Sequence, residues 1–420
     1  MDNPVRKGIF GAMTYDADIL IVGGGLNGPA LALALAQGGL SVAVIDARPA
    51  VARSEDAFDG RAYALALASV RVLQALGLWR DLRAKAQPIT GIRASQGHAG
   101  QGASPLMMGF EAAEIEEGAM GQMVEDRHLY AAFLAAMQAE PQITLHSGAR
   151  VVAQETSAGA ARVTLDDGRI LRGRLMVGCD GRDSAVAQRA GIKRWGWDYG
   201  QTGLVCAIDH ALPHDGIAHQ FFMPPGPLAI LPLPGNRSSV VWSERTATAQ
   251  AISALDDAAY LEVLKPRFGN FLGEISLAGA RFAYPLRLTI AEAFVAERVA
   301  LVGDAAHGVH PIAGQGLNLG LRDVAALAEV LIEAARRGED IAAADVLGRY
   351  QEWRRFDVVR SALGMDAVNK MFSNGNPVLE AVRGLGMGAI NALPMLRRMF
   401  IRDAAGLSAA EPKLMQGEPI

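Results

Sequence analysis

The sequence predicts a mixed α/β (α+β) fold, and three observations carry that expectation. The run ADILIVGGGLNGPALALALAQGGLSVAVIDAR, residues 17–48, places an apolar strand, a glycine-rich turn, a helix and a second apolar strand in immediate succession, a Rossmann-like β-α-β unit. From about Gly200 to Tyr284 the texture changes to short strand-like runs, GLVCAIDH, HQFFMPP, LAILPLP and SSVVWSE, separated by Pro and Gly as in an antiparallel sheet. Near Leu301 the stretch LVGDAAHGVHPIAGQGLNLGLRDV then resumes the first texture. No fixed-period repeat or low-complexity linker separates these pieces, so they interleave. Residues 16–75, 121–192 and 289–345 are assigned to one nucleotide-binding body, 76–120 and 193–288 to a sheet-bearing body, and 346–420 to a helical C-terminal region.

In order along the chain, Gly23-Gly24-Gly25-Leu26-Asn27-Gly28 is G-x-G-x-x-G directly after the strand DILIV, with Pro29 in the first turn of the following helix. Glycines there permit a tight turn and let the backbone approach a pyrophosphate, while the helix N-terminus offers free N–H groups and a positive dipole end. Asp46 follows Gly28 at the end of the second strand, where a carboxylate accepts hydrogen bonds from ribose hydroxyls. An acid at that place argues against a 2′-phosphate, so the nucleotide is FAD or NAD rather than NADP.

Residues 61–86 carry Leu65, Val72, Leu73, Leu76 and Leu82 at helical spacing, and a second helix fits Glu125 to Gln138. ITLHSGARVVAQET and ARVTLDDGRILRGRLMVGCDG read as consecutive strands with a turn at Asp167-Gly168. After the second glycine-rich stretch, Leu321, Val324, Ala325, Ala328, Leu331, Ile332 and Ala335 form a helical stripe, and from about Asp345 the pattern stays helical.

Composition excludes several classes. Half of the 420 residues are hydrophobic, 20% are charged and the formal net charge is −4, so the chain can bury a large core and has no basic field for a nucleic-acid backbone. Two cysteines, Cys179 and Cys206, are too few for a disulfide framework and read as small buried hydrophobes in a reducing compartment. Ile19 to Ile45 contains no charge and has membrane-spanning length, but its glycines, Asn27, Pro29 and Gln37 break it into strand, turn and helix. The N-terminal residues have no apolar signal core.

A nicotinamide site alone would not need a second strand-to-helix glycine turn. Gly303-Asp304-Ala-Ala-His307 followed by His310-Pro311-Ile-Ala-Gly314-Gln315-Gly316-Leu317-Asn318 resembles the second FAD motif of the class A flavoprotein monooxygenases, which share the para-hydroxybenzoate hydroxylase fold. The resemblance implies that Asp304 holds the flavin ribityl chain and that Pro311, with His310 beside it, runs next to the isoalloxazine ring. A planar tricycle along the backbone excludes side chains, hence Gly314 and Gly316, and helix N–H groups stabilise the anionic reduced flavin. Gly178-Cys179-Asp180-Gly181-Arg182-Asp183-Ser184 resembles the family's Asp-Gly motif, although Ala187 stands where relatives carry Arg. Arg61 and Arg127 occupy places where relatives set arginines against the flavin and its diphosphate. Tyr199-Gly200-Gln201, GPLAILPL, Tyr284-Pro285-Leu286 and Phe372-Ser373-Asn374 resemble the ubiquinone-biosynthesis hydroxylases, over nearly the whole chain.

That resemblance implies non-covalent FAD, O2 as co-substrate, electrons from NAD(P)H or a separate reductase, and a polyprenyl-phenol substrate hydroxylated through a flavin C4a-hydroperoxide. In such chemistry the protein positions the ring and excludes water, so no obligatory general base is expected. The apolar strands between residues 204 and 242, with Phe221, Phe222, Leu231 and Trp242, together with Tyr284 and Pro285, are either the cover over the substrate ring or ordinary core. Two alternatives share the motifs: a prenyl-chain reductase and a non-catalytic FAD-binding scaffold in a biosynthetic assembly.

His307 and His310 lack a carboxylate-rich neighbourhood beyond Asp304, so they read as structural or flavin-adjacent and no metal is expected. Trp195 and Trp197 read as strand packing, and Asp56 and Asp59 as a solvated loop. The tail VLEAVRGLGMGAINALPMLRRMFIRDAAG, with Met387, Met395, Met399 and Arg397-Arg398, suits a membrane surface, a partner in a ubiquinone-synthesis complex, or a plain packing helix. The expected location is the cytoplasm, with peripheral contact at the inner face of the membrane.

Overall fold

The computed structural model describes residues 14–50, 58–100, 102–114, 118–310, 314–373, 397–398, 401–402, 404–407 and 411–420. Pro311, Asp56, Met387, Met395 and Met399 lie outside the described residues. A six-stranded sheet runs in the order Val295–Ala296, Val299–Leu301, Leu175–Gly178, Ile19–Val22, Val42–Asp46, Ile143–Ser147. Its strands are parallel except for the Val295–Ala296 edge. The charge-free run after Ile19 is explained by burial: Ile19 to Val22, Val42 to Asp46 and nearly all of the helix Asn27–Gln37 are shielded from solvent. Helix Gln315–Arg336 crosses that helix so closely that a Cβ on Gly38 would sit 2.4 Å from the Ile332 side chain.

An eight-stranded sheet runs in the order His307–Gly308, Ile275–Ala291, Arg194–His210, Arg237–Arg245, Gly226–Leu233, Ile217–Met223, Gly91–His98, Gly102–Glu111. All neighbours are antiparallel except Ile217–Met223 with Gly91–His98. Two of its strands, Arg194–His210 and Ile275–Ala291, are 17 residues long rather than the short runs expected. Register shifts between Asp198 and Gln201 and between Val205 and Ala207 let that long pair bend while staying bonded.

Strict alternation divides this sheet. Leu204, Cys206, Phe221, Leu228, Ile230, Val240 and Trp242 face the helices Thr246–Ser253 and Asp257–Phe268 in a core with Tyr260, Leu264 and Phe268. The intervening residues Val205, Phe222, Ala229, Leu231 and Val241 line a cavity on the other face. Phe221 and Trp242 are therefore core, whereas Phe222 and Leu231 are cavity wall.

The helix expected over residues 61–86 begins later. Ala62–Ala66 is a strand paired with Gly121–Glu125, the helix runs Leu67–Ala75, and a short turn Trp79–Leu82 follows. In AYALALAS the small apolar residues satisfy period 2 as well as 3.6, and the partner decides. A Cβ on Gly121 would lie 2.5 Å from the Leu65 carbonyl oxygen, so the two backbones meet where the partner has no side chain. The helix Ala344–Phe372 spans 29 residues, and the last residues return to helix Gln315–Arg336, where Lys413 pairs with Glu333 at 3.1 Å, and to Leu67–Ala75, with Ala68 N–H donating to the Ala405 carbonyl at 3.0 Å.

Candidate active site

Each glycine of the first turn has a separate reason. Gly23 has φ +113°, and a Cβ there would lie 2.3 Å from the Cys179 carbonyl oxygen. Gly28 lets helix and strand touch, since its Cβ would come within 2.0 Å of the Gly23 carbonyl oxygen. Gly25 has open space where a Cβ would stand and lines the cavity, as does Leu26. Asp46 is buried beneath Gly24, accepts from the Arg48 N–H at 3.0 Å and stands outside the cavity wall.

The second turn is built from behind. Gly303 has φ +63°, and its N–H donates to Asp323 at 2.9 Å. The fully buried Asp323 also accepts from His307 Nε2 at 2.6 Å and Arg354 Nε at 2.8 Å. His307 and Arg354 outweigh the cost of burial and hold the Asp323 carboxyl below its ordinary range, so it is ionised and paired. Asn27 is wedged between the two turns: a Cβ on Gly303 or Gly320 would lie 2.2 or 2.3 Å from its Nδ2. Its Oδ1 is buried without a partner among the described residues.

Gly314, in the left-handed region at φ +62°, starts helix Gln315–Arg336, and Gly316 has open space at its Cβ position. Asn318 ties this helix end to the strand Ala62–Ala66: its Nδ2 donates to the Ala64 carbonyl at 2.9 Å, and its Oδ1 accepts from Ala66 N–H at 2.8 Å and Ser69 Oγ at 2.7 Å.

These parts converge on a cavity of about 1150 Å³. One end carries Gly25, Leu26, Asn27, Arg61, Cys179, Arg182, Asp304, Gly314, Gln315, Gly316, Leu317 and Asn318, and the other is the apolar sheet face with Ile92, Ala94, Phe222, Leu231 and Val241. Asp304 accepts from Arg182 Nε at 3.1 Å. Arg61 meets Asp59 at 2.5 Å and Asp126 at 3.3 Å, which corrects the expectation that Asp59 is merely a solvated loop residue. Tyr284 lines the cavity and stacks on Phe282, whereas the neighbouring Pro285 is exposed and does not line it. Arg127 pairs with Glu125 at 2.6 Å and stands outside the wall, as does Asp180, whose Oδ2 accepts from the Val186 N–H at 3.1 Å. A planar cofactor with a phosphate arm fits this cradle, because the glycines lacking neighbours, Gly25 and Gly316, face it from two separate turns.

Behind the second turn, His310 is 1% exposed, packs edge-on against Tyr199 at 5.1 Å and lies 3.4 Å from Gln201 Oε1. Burial lowers its pKa to about 4, so the ring is neutral at pH 7. Gln201 also accepts from Asn369 Nδ2 at 3.0 Å and donates to the Pro225 carbonyl at 2.7 Å, linking the turn to helix Ala344–Phe372. That helix ends with Phe372 stacked on Phe222, ring centroids 4.2 Å apart, closing the apolar end of the cavity. Sequence reasoning missed Asp323 and Asn369, which lie in ordinary helical patterns. Among the described residues no cluster of His, Cys, Asp and Glu could hold a metal ion.

Comparison with known proteins agrees with this geometry. A family model described as FAD binding domain matches residues 16–363. The chain is 44% identical to ubiquinone hydroxylase UbiL of Rhodospirillum rubrum, covering 100% of this chain and 97% of the relative. It is 36% identical to 3-demethoxyubiquinol 3-hydroxylase of Escherichia coli, covering 93% and 98%. The fold matches p-nitrophenol 4-monooxygenase PnpA of Pseudomonas putida with a TM-score of 0.79 at 20% identity, over 95% of this chain and 100% of that one. The protein is an FAD-dependent monooxygenase, and it belongs to the family of the ubiquinone-biosynthesis hydroxylases.

Proposed function

We propose that the protein hydroxylates the aromatic ring of a polyprenyl-phenol intermediate of ubiquinone biosynthesis. The observation that carries this reading is the continuity of the glycine cradle with an apolar chamber walled by a sheet face and closed by Phe222 and Phe372. When bound, FAD supplies the two-electron activation of O2, with reducing equivalents from NAD(P)H or a separate reductase. Gly23, Gly25 and Gly28 bring the first turn against the phosphate arm, Asp46 serves the adenosine ribose, and Asp304 serves the ribityl chain. The backbone from Gly314 to Asn318 faces the ring system, and its N–H groups favour negative charge there. Phe222 and Tyr284 hold the substrate ring and keep water out, while the prenyl chain extends along Met371, Phe372, Ile401 and Ala404.

The same reading includes a peripheral membrane contact. Phe356, Leu363 and Met371 are 77%, 43% and 55% exposed on one helix, with Arg355 and Arg360 beside them, a pattern suited to an interface with anionic lipid. No helix among the described residues is long and apolar enough to cross a membrane.

Deleting the gene and extracting quinones tests the function. Accumulation of a prenylated phenol lacking a hydroxyl, restored by the native copy and not by Asp304→Ala, is the expected result. An unchanged quinone pool, with purified holo-protein that couples O2 to no prenylphenol, would favour a prenyl reductase or a scaffold instead.

A further inference from the structure

Two polar residues of the sheet, His219 and Gln220, line the cavity, and the His219 ring is engaged with Phe221 and Phe271. Gln220, in strand Ile217–Met223, lines the cavity between Ala218 and Phe222, the next residues on its own face. Its cross-strand partners on either side are Ala94 and Ala229. Three alanines around one long amide leave a shallow space above the sheet where a larger residue would fill it. No hydrogen bond to the Gln220 side chain occurs among the described residues, and its Nε2 is fully buried.

An amide kept amid alanines, with no partner among the described residues, offers its cavity-facing end to a polar group of a ligand. Nε2 is closed off from the cavity as well as from solvent, so a ligand meets the opposite end of the amide, on a side chain that is only half-buried. An aromatic hydroxyl in the cavity donates to the Gln220 Oε1. A prenyl chain offers no such donor.

We infer that Gln220 is the positioning residue that hydrogen-bonds a hydroxyl of the substrate ring and thereby fixes which ring carbon is presented for hydroxylation. The inference rests on the prenyl-phenol reading. It adds a specificity determinant that the motifs do not contain, because the residue sits on a strand remote from both glycine turns. Its role is orientation rather than proton transfer, since an amide does not titrate.

The test uses holo-protein and flavin absorbance titrations with two ligands, a short-chain prenylphenol and the matching prenylbenzene without the hydroxyl. Native protein is expected to bind the phenol roughly 10-fold more tightly. Gln220→Met, close in shape and unable to make the bond, is expected to retain its flavin, bind prenylbenzene within about 2-fold of native and lose the preference. It is also expected to distribute oxygen over more than one ring carbon. Gln220→Leu serves as a second apolar variant in case the first packs badly. A Met variant that keeps both the preference and a single product overturns the inference, as does native protein with no preference. Native protein that prefers the phenol but never hydroxylates it refutes the functional reading and leaves Gln220 as a ring-hydroxyl contact.

Discussion

One acidic side chain and two imidazoles differ in what their surroundings ask of them. Asp304 faces the cavity and, among the described residues, is held by Arg182 alone, so its carboxylate is available to a ligand. Asp304→Asn should fold, and its flavin content after dialysis should fall at least 10-fold, as loss of a charge-assisted bond implies. Full retention would show that the ribityl chain is held elsewhere. His310 is buried and neutral, with its pKa near 4, and burial lowers His219 similarly to about 4. Between about pH 6.5 and 4 the unfolded chain binds protons that these rings refuse in the fold, so stability falls as pH falls through that window. Each contributes a slope of roughly 1.4 kcal/mol per pH unit at most. His310→Gln should therefore shrink, without abolishing, the drop in thermal midpoint between pH 7 and 5, and an undiminished drop would contradict a neutral buried ring. The glycines and Asp304 were legible because backbone approach leaves a mark in residue type. Asn318 was legible only as a motif member. Its four hydrogen-bond partners show that it joins strand to helix, which no one-dimensional pattern states.

At the level of elements, helix Gln315–Arg336 does most to assemble the site. Its first turn faces the cavity, its middle buries Asp323 under the Gly303 turn, and its flank packs on Asn27–Gln37. Asp323→Asn leaves Arg354 with Asp357 as its remaining ionic partner and weakens the bonds from His307 and the Gly303 N–H, and should cost about 1.5–3 kcal/mol in denaturant unfolding, with loss of flavin alongside. A loss below 1 kcal/mol would mean that the network is not what holds the turn. The stripe of Leu321, Val324, Ala325, Ala328, Leu331 and Ile332 was readable because one face is buried throughout, with only Ala335 of the predicted stripe left partly exposed. Residues 61–66 were not, because AYALALA fits either period and only the glycine at position 121 across the sheet selects the strand. The same limit applied to Phe221 and Trp242: alternation assigns neighbours to opposite faces, yet which face becomes core depends on helices Thr246–Ser253 and Asp257–Phe268 arriving on it.

Across the whole molecule, two sheets with different patterning share one cavity, and chemistry is confined to where they meet. The parallel sheet is buried on both sides and supplies turns; the antiparallel sheet spends one face on core and leaves the other as an apolar wall. The exposed stripe Phe356, Leu363 and Met371 runs along the helix that closes this chamber. In vesicle flotation with anionic lipid, replacing Phe356 and Leu363 by Ser should reduce recovery with the vesicles several-fold while leaving flavin content unchanged. Equal recovery would remove that face from the proposed membrane contact. Interleaving of the two textures was visible from the motifs; the shared cavity was not, because it depends on the 17-residue strand pair bending across both. The most direct measurement supplies purified holo-protein with a short-chain prenylphenol, NAD(P)H and ¹⁸O2, and weighs the product. A ring that gains one ¹⁸O atom is the result expected of a monooxygenase acting on this substrate. A product whose prenyl chain has gained two hydrogens, with no label, would contradict it and identify a reductase on the same fold.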